Sequence, residues 1–144
     1  MDIQTLANPI PERAALRRGF TIGDLICESF DTSKSKGWHD PAPSTAPIDP
    51  ARRSQIPVAT FGDRIALIHS EASEALEAYR CNGDPTHVWH RDDGKPEGVP
   101  SELADVIIRI ADLCGKYGID LEAAIIEKCA FNRTRPIRHG GKVL

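Results

Sequence analysis

Between Thr60 and Arg80 apolar side chains return at intervals of three and four residues: Phe61, Ile65, Ile68, Ala72, Leu76 and Tyr79. That spacing predicts a helix, and the Thr60 hydroxyl stands where it can accept from the free amides of the first turn. A second run extends from Ser101, read as an N-cap, to about Tyr117, with Val106, Ile110, Leu113 and Tyr117 on one apolar face that Ile107, Ala111 and Cys114 widen. Gly118 ends it, and Asp120 caps a third helix to about Arg133, stopped by Pro136. Upstream the pattern is weaker. It gives a short helix over Glu12 to Arg18 and another turn or two in TIGDLICESF. No alternating pattern of useful length predicts a strand, so the expected fold is all-α, an antiparallel helical bundle.

Two stretches interrupt the periodicity. WHDPAPSTAPIDPARRSQIP, residues 38–57, carries five prolines among small polar residues and reads as a long loop. NGDPTHVWHRDDGKPEGVP is broken too often by Gly and Pro for a helix to persist. The chain therefore divides into an N-terminal arm with short helices and a Pro-rich loop, 1–57, and a helical domain, 58–144, that closes in the basic segment IRHGGKVL.

Composition narrows the function classes. A net charge of -3 argues against a protein that coats nucleic acid or an anionic membrane. The longest greasy stretch, VIIRIADLC, is too short and too charged to span a bilayer, and the first residues hold no apolar leader core. Four cysteines without a CxxC pair suggest a reducing compartment and no zinc cluster. The expected location is cytoplasmic. With 144 residues and 40% hydrophobic content, three helices and a short arm make a thin core, which predicts that a second copy completes the apolar faces.

The chemistry lies in HSEASEALEAYR. At about 100° per residue, Glu71 and Glu74 project within about 60° of each other, beside Leu67 and Ala78, while Glu77 lies elsewhere. The next helix repeats the arrangement with Glu102 and Asp105, and Arg109, Asp112 and Lys116 continue that stripe, opposed to the wide apolar face. An acid pair at this spacing is common on a solvated helix face. Two pairs on successive antiparallel helices can instead bring four carboxylates together, which a dry site tolerates only with cations. Carboxylate oxygens alone suit Mg²⁺ or Mn²⁺, ions that take phosphate oxygens in their remaining positions. A di-iron bundle fits less well, because Glu74 and Asp105 stand where it expects histidine.

SEASEALEAYR, followed by GKPEGVPSELADVIIRIADLCGKYGIDLEAAIIEKCAFNRTRPIRHGGK, resembles the MazG-like all-α nucleoside triphosphate pyrophosphohydrolases, whose signature is E-x-x-E on one helix and E-x-x-D on the next. The resemblance covers roughly residues 58–142. It implies a Mg²⁺-dependent enzyme that splits a nucleoside or deoxynucleoside triphosphate into the monophosphate and pyrophosphate, a nucleotide-pool house-cleaning activity, with the 58–144 helical domain as its catalytic part. Glu71, Glu74, Glu102 and Asp105 would be metal ligands, with Glu74 alternatively the general base. Lys128 and Asn132 match the Lys and Asn that the family places near the phosphates, Lys128 with a catalytic role as well. Family members are commonly dimers or tetramers, so a homodimer or homotetramer is implied. The neighbouring readings are the same chemistry on phosphoribosyl-ATP or a nucleoside diphosphate, and a non-catalytic nucleotide-binding helical module.

Beyond Asn132, the residues Arg133, Arg135, Arg138, His139 and Lys142 add donors that either clamp a triphosphate or form a solvated basic tail. Trp38 stands where a flexible arm folds over a pocket and either stacks on a nucleobase or packs. Trp89 reads as a packing anchor, His39, His87 and His90 as candidates to read a base edge, and His69 as structural.

Overall fold

The computed structural model describes residues 19–40 and 59–136. The short helix expected over 12–18, most of the Pro-rich loop and the end of the basic tail lie outside the described residues. Four helices are present among them: α1 (Ile22–Ser35), α2 (Phe61–Asn82), α3 (Val99–Tyr117) and α4 (Leu121–Thr134). An all-α class is the outcome, with one small addition. Trp89–His90 (β1) pairs antiparallel with Pro96–Glu97 (β2), Trp89 opposite Glu97 and His90 opposite Pro96, in the connection between α2 and α3. Two residues per strand are too few to leave an alternating pattern in the sequence.

Local signals set most helix boundaries. Thr60 caps α2 as expected, and the reciprocal bond comes from Asp63, whose carboxylate accepts from the Thr60 backbone amide at 2.8 Å. These bonds from the Thr60 side chain and backbone hold the Asp63 carboxyl below its ordinary range. Asp120 caps α4 by accepting from the Ala123 amide at 3.0 Å. Gly83 and Gly118 end α2 and α3 in the left-handed region.

Two expectations need correction. TIGDLICESF is not a turn or two but most of a 14-residue helix, because Thr21 and Asp24 form a second capping box and α1 packs along α3. The approach is close at Gly115, where an added Cβ would sit 2.6 Å from the Phe30 Cβ. Ser101 is not the N-cap of α3. The helix begins at Val99 after Gly98, and Pro100, which has no amide to leave unpaired, occupies the first turn. Ser101 instead donates its hydroxyl to the Pro96 carbonyl at 2.9 Å, tying β2 to the start of α3.

α2 and α3 run antiparallel, as the sequence of contacts between them shows. Phe61 meets Tyr117 edge to face with ring centroids 5.2 Å apart, Arg64 bonds Asp112, Arg109 bonds Glu71, and Glu102 faces Glu71 and Glu74. The polar stripe expected on the outside of α3 therefore turns inward. Glu102 is buried and Asp112 nearly so, while of the expected apolar face Ala111, Leu113 and Cys114 are buried and Ile107 and Tyr117 are exposed. The buried apolar core consists of Ala75, Ala111, Leu113 and Cys114, and α4 buries nothing. No helix is long and apolar enough to cross a membrane among the described residues.

One polar cluster fixes α1 and the turn after it. The Asp112 carboxylate accepts from Arg64 at 2.8 Å and bonds His39 Nε2 at 2.7 Å, and Arg64 also reaches the Trp38 carbonyl at 3.3 Å. Lys116 lies 3.3 Å from His39 Nδ1, and Phe30 packs its ring edge to face with His39. The Asp112→Ala protein, which leaves Arg64 buried without its carboxylate, should lose about 3 kcal/mol in denaturant unfolding. A loss below about 1 kcal/mol would place the cluster among solvent-screened surface pairs.

Candidate active site

The acids the sequence singled out come together at the middle of α2 and the start of α3. One carboxylate oxygen from each of Glu71, Glu74 and Glu102 lies within 4.8 Å of the others. Glu71 and Glu102 are buried and Glu74 is exposed. The pairing of Arg109 with Glu71 and of Arg64 with Asp112 sets the register of the two helices that brings these side chains together. Asp105 is half-buried one turn beyond Glu102, outside the triangle but close enough for its charge to act on Glu102.

The three carboxylates are not equivalent. Glu71 Oε1 accepts from Arg109 Nε at 2.6 Å and lies 2.5 Å from a second guanidinium nitrogen of the same arginine. Among the described residues Glu74 takes only a 3.2 Å bond from the Ser70 hydroxyl. The buried Oε2 of Glu102 has no hydrogen-bond partner among the described residues. Burial is the chief reason its carboxyl is pushed above the ordinary carboxylate range; Lys95 opposes the shift, and Glu74, Asp105 and Glu97 add to it. Such an orphaned, desolvated oxygen beside two further carboxylates is what a hard divalent cation satisfies, so the donor set fits Mg²⁺ or Mn²⁺.

Lys95 is a residue that sequence reasoning missed. It sits just before β2, its ammonium 3.2 Å from Glu97, and that bond together with the charges of Glu97, Glu102 and Asp105 raises its pKa. The hairpin thus carries a cation to the rim of the acid cluster. Arg109, noted only as part of a stripe, is the partner of Glu71, and Arg64 was not singled out at all. The two arginine pairings join residues 38 and 48 positions apart, which no local spacing encodes.

A cavity of about 490 Å³ opens between α1, the first half of α2 and the middle of α3, reaching the acid cluster through Asp105 and the Glu71 partner Arg109 and lined by none of the three glutamates. Leu25, Leu67, Ile108 and Trp38 give it apolar walls, and Glu28, Arg64, Asp105 and Arg109 supply charge. Trp38 is 72% exposed at its margin, and His39 is turned away into the Asp112 cluster.

The other expected donors lie elsewhere. Lys128 and Asn132 are exposed on α4, which packs against α1, and the Lys128 ammonium rests over the Phe131 ring, 5.6 Å from its centroid. Arg135 lies over the same ring at 6.0 Å. Lys128 is not among the charges that act on Glu102. Arg138, His139 and Lys142 lie outside the described residues. Trp89 stacks on His87, with ring centroids 5.6 Å apart. Compared with known protein families, with curated proteins and with solved structures, the chain matches none.

A carboxyl whose folded pKa is raised binds protons more tightly in the native state than in the unfolded chain, so it lowers stability as pH rises out of the ordinary carboxylate range. Glu102→Gln should therefore melt higher than the unsubstituted protein at neutral pH in EDTA. The gap should close as pH falls below the ordinary glutamate value, where both states bind the proton. An unchanged or lower melting temperature at neutral pH would mean that Glu102 bears no burial cost.

Proposed function

We propose that this protein is a divalent-cation-dependent nucleoside triphosphate pyrophosphohydrolase that releases pyrophosphate and leaves the monophosphate, a nucleotide-pool enzyme. The observation that carries this reading is the meeting of Glu71, Glu74 and Glu102 around a buried, unpartnered carboxylate oxygen, next to a cavity large enough for a nucleoside. Glu71, Glu74 and Glu102, with Asp105 beside them, would hold Mg²⁺ or Mn²⁺. Bound there, the cation supplies positive charge for phosphate oxygens and acidity for a coordinated water.

The chain's own residues account for the rest. Glu74 is the exposed member of the triangle with one weak partner, and so is the carboxylate free to orient a water and take its proton. Lys95 at the rim offers a point charge to the phosphate chain. The apolar walls beside Trp38 suit a flat base, with Glu28 placed on the α1 side to accept from an amino or imino group.

The working form on this reading is a homodimer or homotetramer. α3 turns charge inward and leaves Leu103, Ile107 and Tyr117 exposed, and α4 leaves Ile126 and Phe131 exposed. A second copy is the occupant with matching apolar faces, and it offers Lys128 and Asn132 a route to the phosphates that α4 does not provide within one protomer.

Two measurements test these statements. Pyrophosphate release should be detected with at least one common nucleoside or deoxynucleoside triphosphate in Mg²⁺, with the monophosphate as co-product, and vanish in EDTA. Glu74→Gln should lower kcat by roughly 10²-fold or more while leaving the helical circular dichroism intact. Metal-dependent binding of nucleotide without pyrophosphate release would instead identify a non-catalytic nucleotide-binding module. For assembly, light scattering should give at least twice the 15.8 kDa chain mass, and Ile107→Arg should lower it to one chain; a monomer before substitution would remove the oligomer from the reading.

A further inference from the structure

Arg109 holds a carboxylate that a cation at the acid cluster would also need. Both guanidinium contacts of Arg109, at 2.6 and 2.5 Å, fall on Oε1 of Glu71, an acid whose oxygen also belongs to the triangle with Glu74 and Glu102. The two partners are unequally held: the Glu71 side chain is 8% exposed and the Arg109 side chain 40%. Glu71 is thus fixed in the seam between the helices, whereas Arg109 has room to leave. The room lies on one side, because Arg109 and Asp105 line the cavity. A divalent cation drawn to the orphaned Glu102 oxygen would meet Glu71 already neutralised, and two positive groups on one carboxylate repel.

We propose that Glu71 exchanges Arg109 for the divalent cation, and that the Arg109 so released binds a phosphate oxygen of the nucleotide in the adjoining cavity. The inference rests on the metal-site reading above and adds to it an order of interdependence. Without cation, Arg109 answers the buried charge of Glu71 and keeps the seam paired. With cation, its guanidinium is free, and a phosphate is a better bidentate partner than the single oxygen it gave up. Cation and nucleotide then favour each other's binding through one side chain, and the coupling must be reciprocal.

Calorimetric titration of Mg²⁺ alone, and of a non-hydrolysable α,β-methylene triphosphate with Mg²⁺ present, tests this in the unsubstituted protein, Arg109→Gln and Arg109→Lys. Removing the competitor should make Arg109→Gln bind Mg²⁺ alone roughly three- to tenfold more tightly, and it should bind the analogue roughly tenfold more weakly. Arg109→Lys, which keeps the charge but not the fork, should fall between them on both axes, and melting curves establish that all three are folded. Equal Mg²⁺ affinity in the unsubstituted protein and Arg109→Gln overturns the exchange while leaving the metal site standing. If the unsubstituted protein binds no Mg²⁺, the metal-site reading fails and the exchange falls with it.

Discussion

The pairing of buried charge along the seam between α2 and α3 governs this structure. A carboxylate removed from water costs several kcal/mol unless a cation or several donors answer it. Along the seam Arg64 answers Asp112 and Arg109 answers Glu71, each at hydrogen-bonding distance. The series stops at Glu102, which is as deeply buried and whose Oε2 has no partner. Among the described residues two buried side-chain atoms lack a partner, Arg64 Nε at one end of the seam and Glu102 Oε2 at the other, and only the second is a carboxylate oxygen, on a rung that brings Glu74 and Asp105 close. A stretch evolved for stability alone would have been better served by an apolar side chain there.

The inward turn of the charges has consequences for packing. α3 gives Glu102, Asp105, Arg109 and Asp112 to the seam and the cavity, Leu103, Ile107, Ile108 and Tyr117 stay exposed, and the buried apolar side chains among the described residues are Ala75, Ala111, Leu113 and Cys114. The Asp112 cluster works at the other end of the seam. By gripping Trp38 and His39 through Arg64, it holds the turn after α1 against the bundle, where Trp38 borders the cavity.

How much of this the sequence disclosed depends on the range of the interaction. Caps are local, so Thr60 and Asp120 and the glycine stops could be read correctly, and Glu71, Glu74 and Glu102 could be chosen from i, i+3 spacing alone. The T-x-x-D signal at Thr21 is equally local, but the weak apolar periodicity after it gives no length, which packing of α1 along α3 supplies. What periodicity does not carry is which neighbour a face meets. The stripe of Asp105, Arg109 and Asp112 looks solvated in isolation, and it becomes interior only because α2 presents Arg64 and Glu71 and α1 covers the far side. His39, Arg64 and Lys95 have no distinguishing local pattern, and their roles come from partners distant in the chain or from the hairpin that carries them.

The register of α3 joins these observations into one site. Glu102 belongs to the carboxylate cluster, Asp105 borders both the cluster and the cavity, and Ile108, Arg109 and Asp112 continue the cavity wall towards Trp38. From Glu102 to Asp112 is ten residues, or about 15 Å along the helix axis. On the proposed reading, a nucleotide lying along that line has its phosphates at the acidic end and its base between α1 and Trp38, with Arg109 at the junction of the two. One amphipathic helix can serve both ends because its polar stripe changes character along its length. A glutamate with an unpartnered oxygen begins it, a single arginine divides it, and a paired aspartate closes it by holding the neighbouring helix in place.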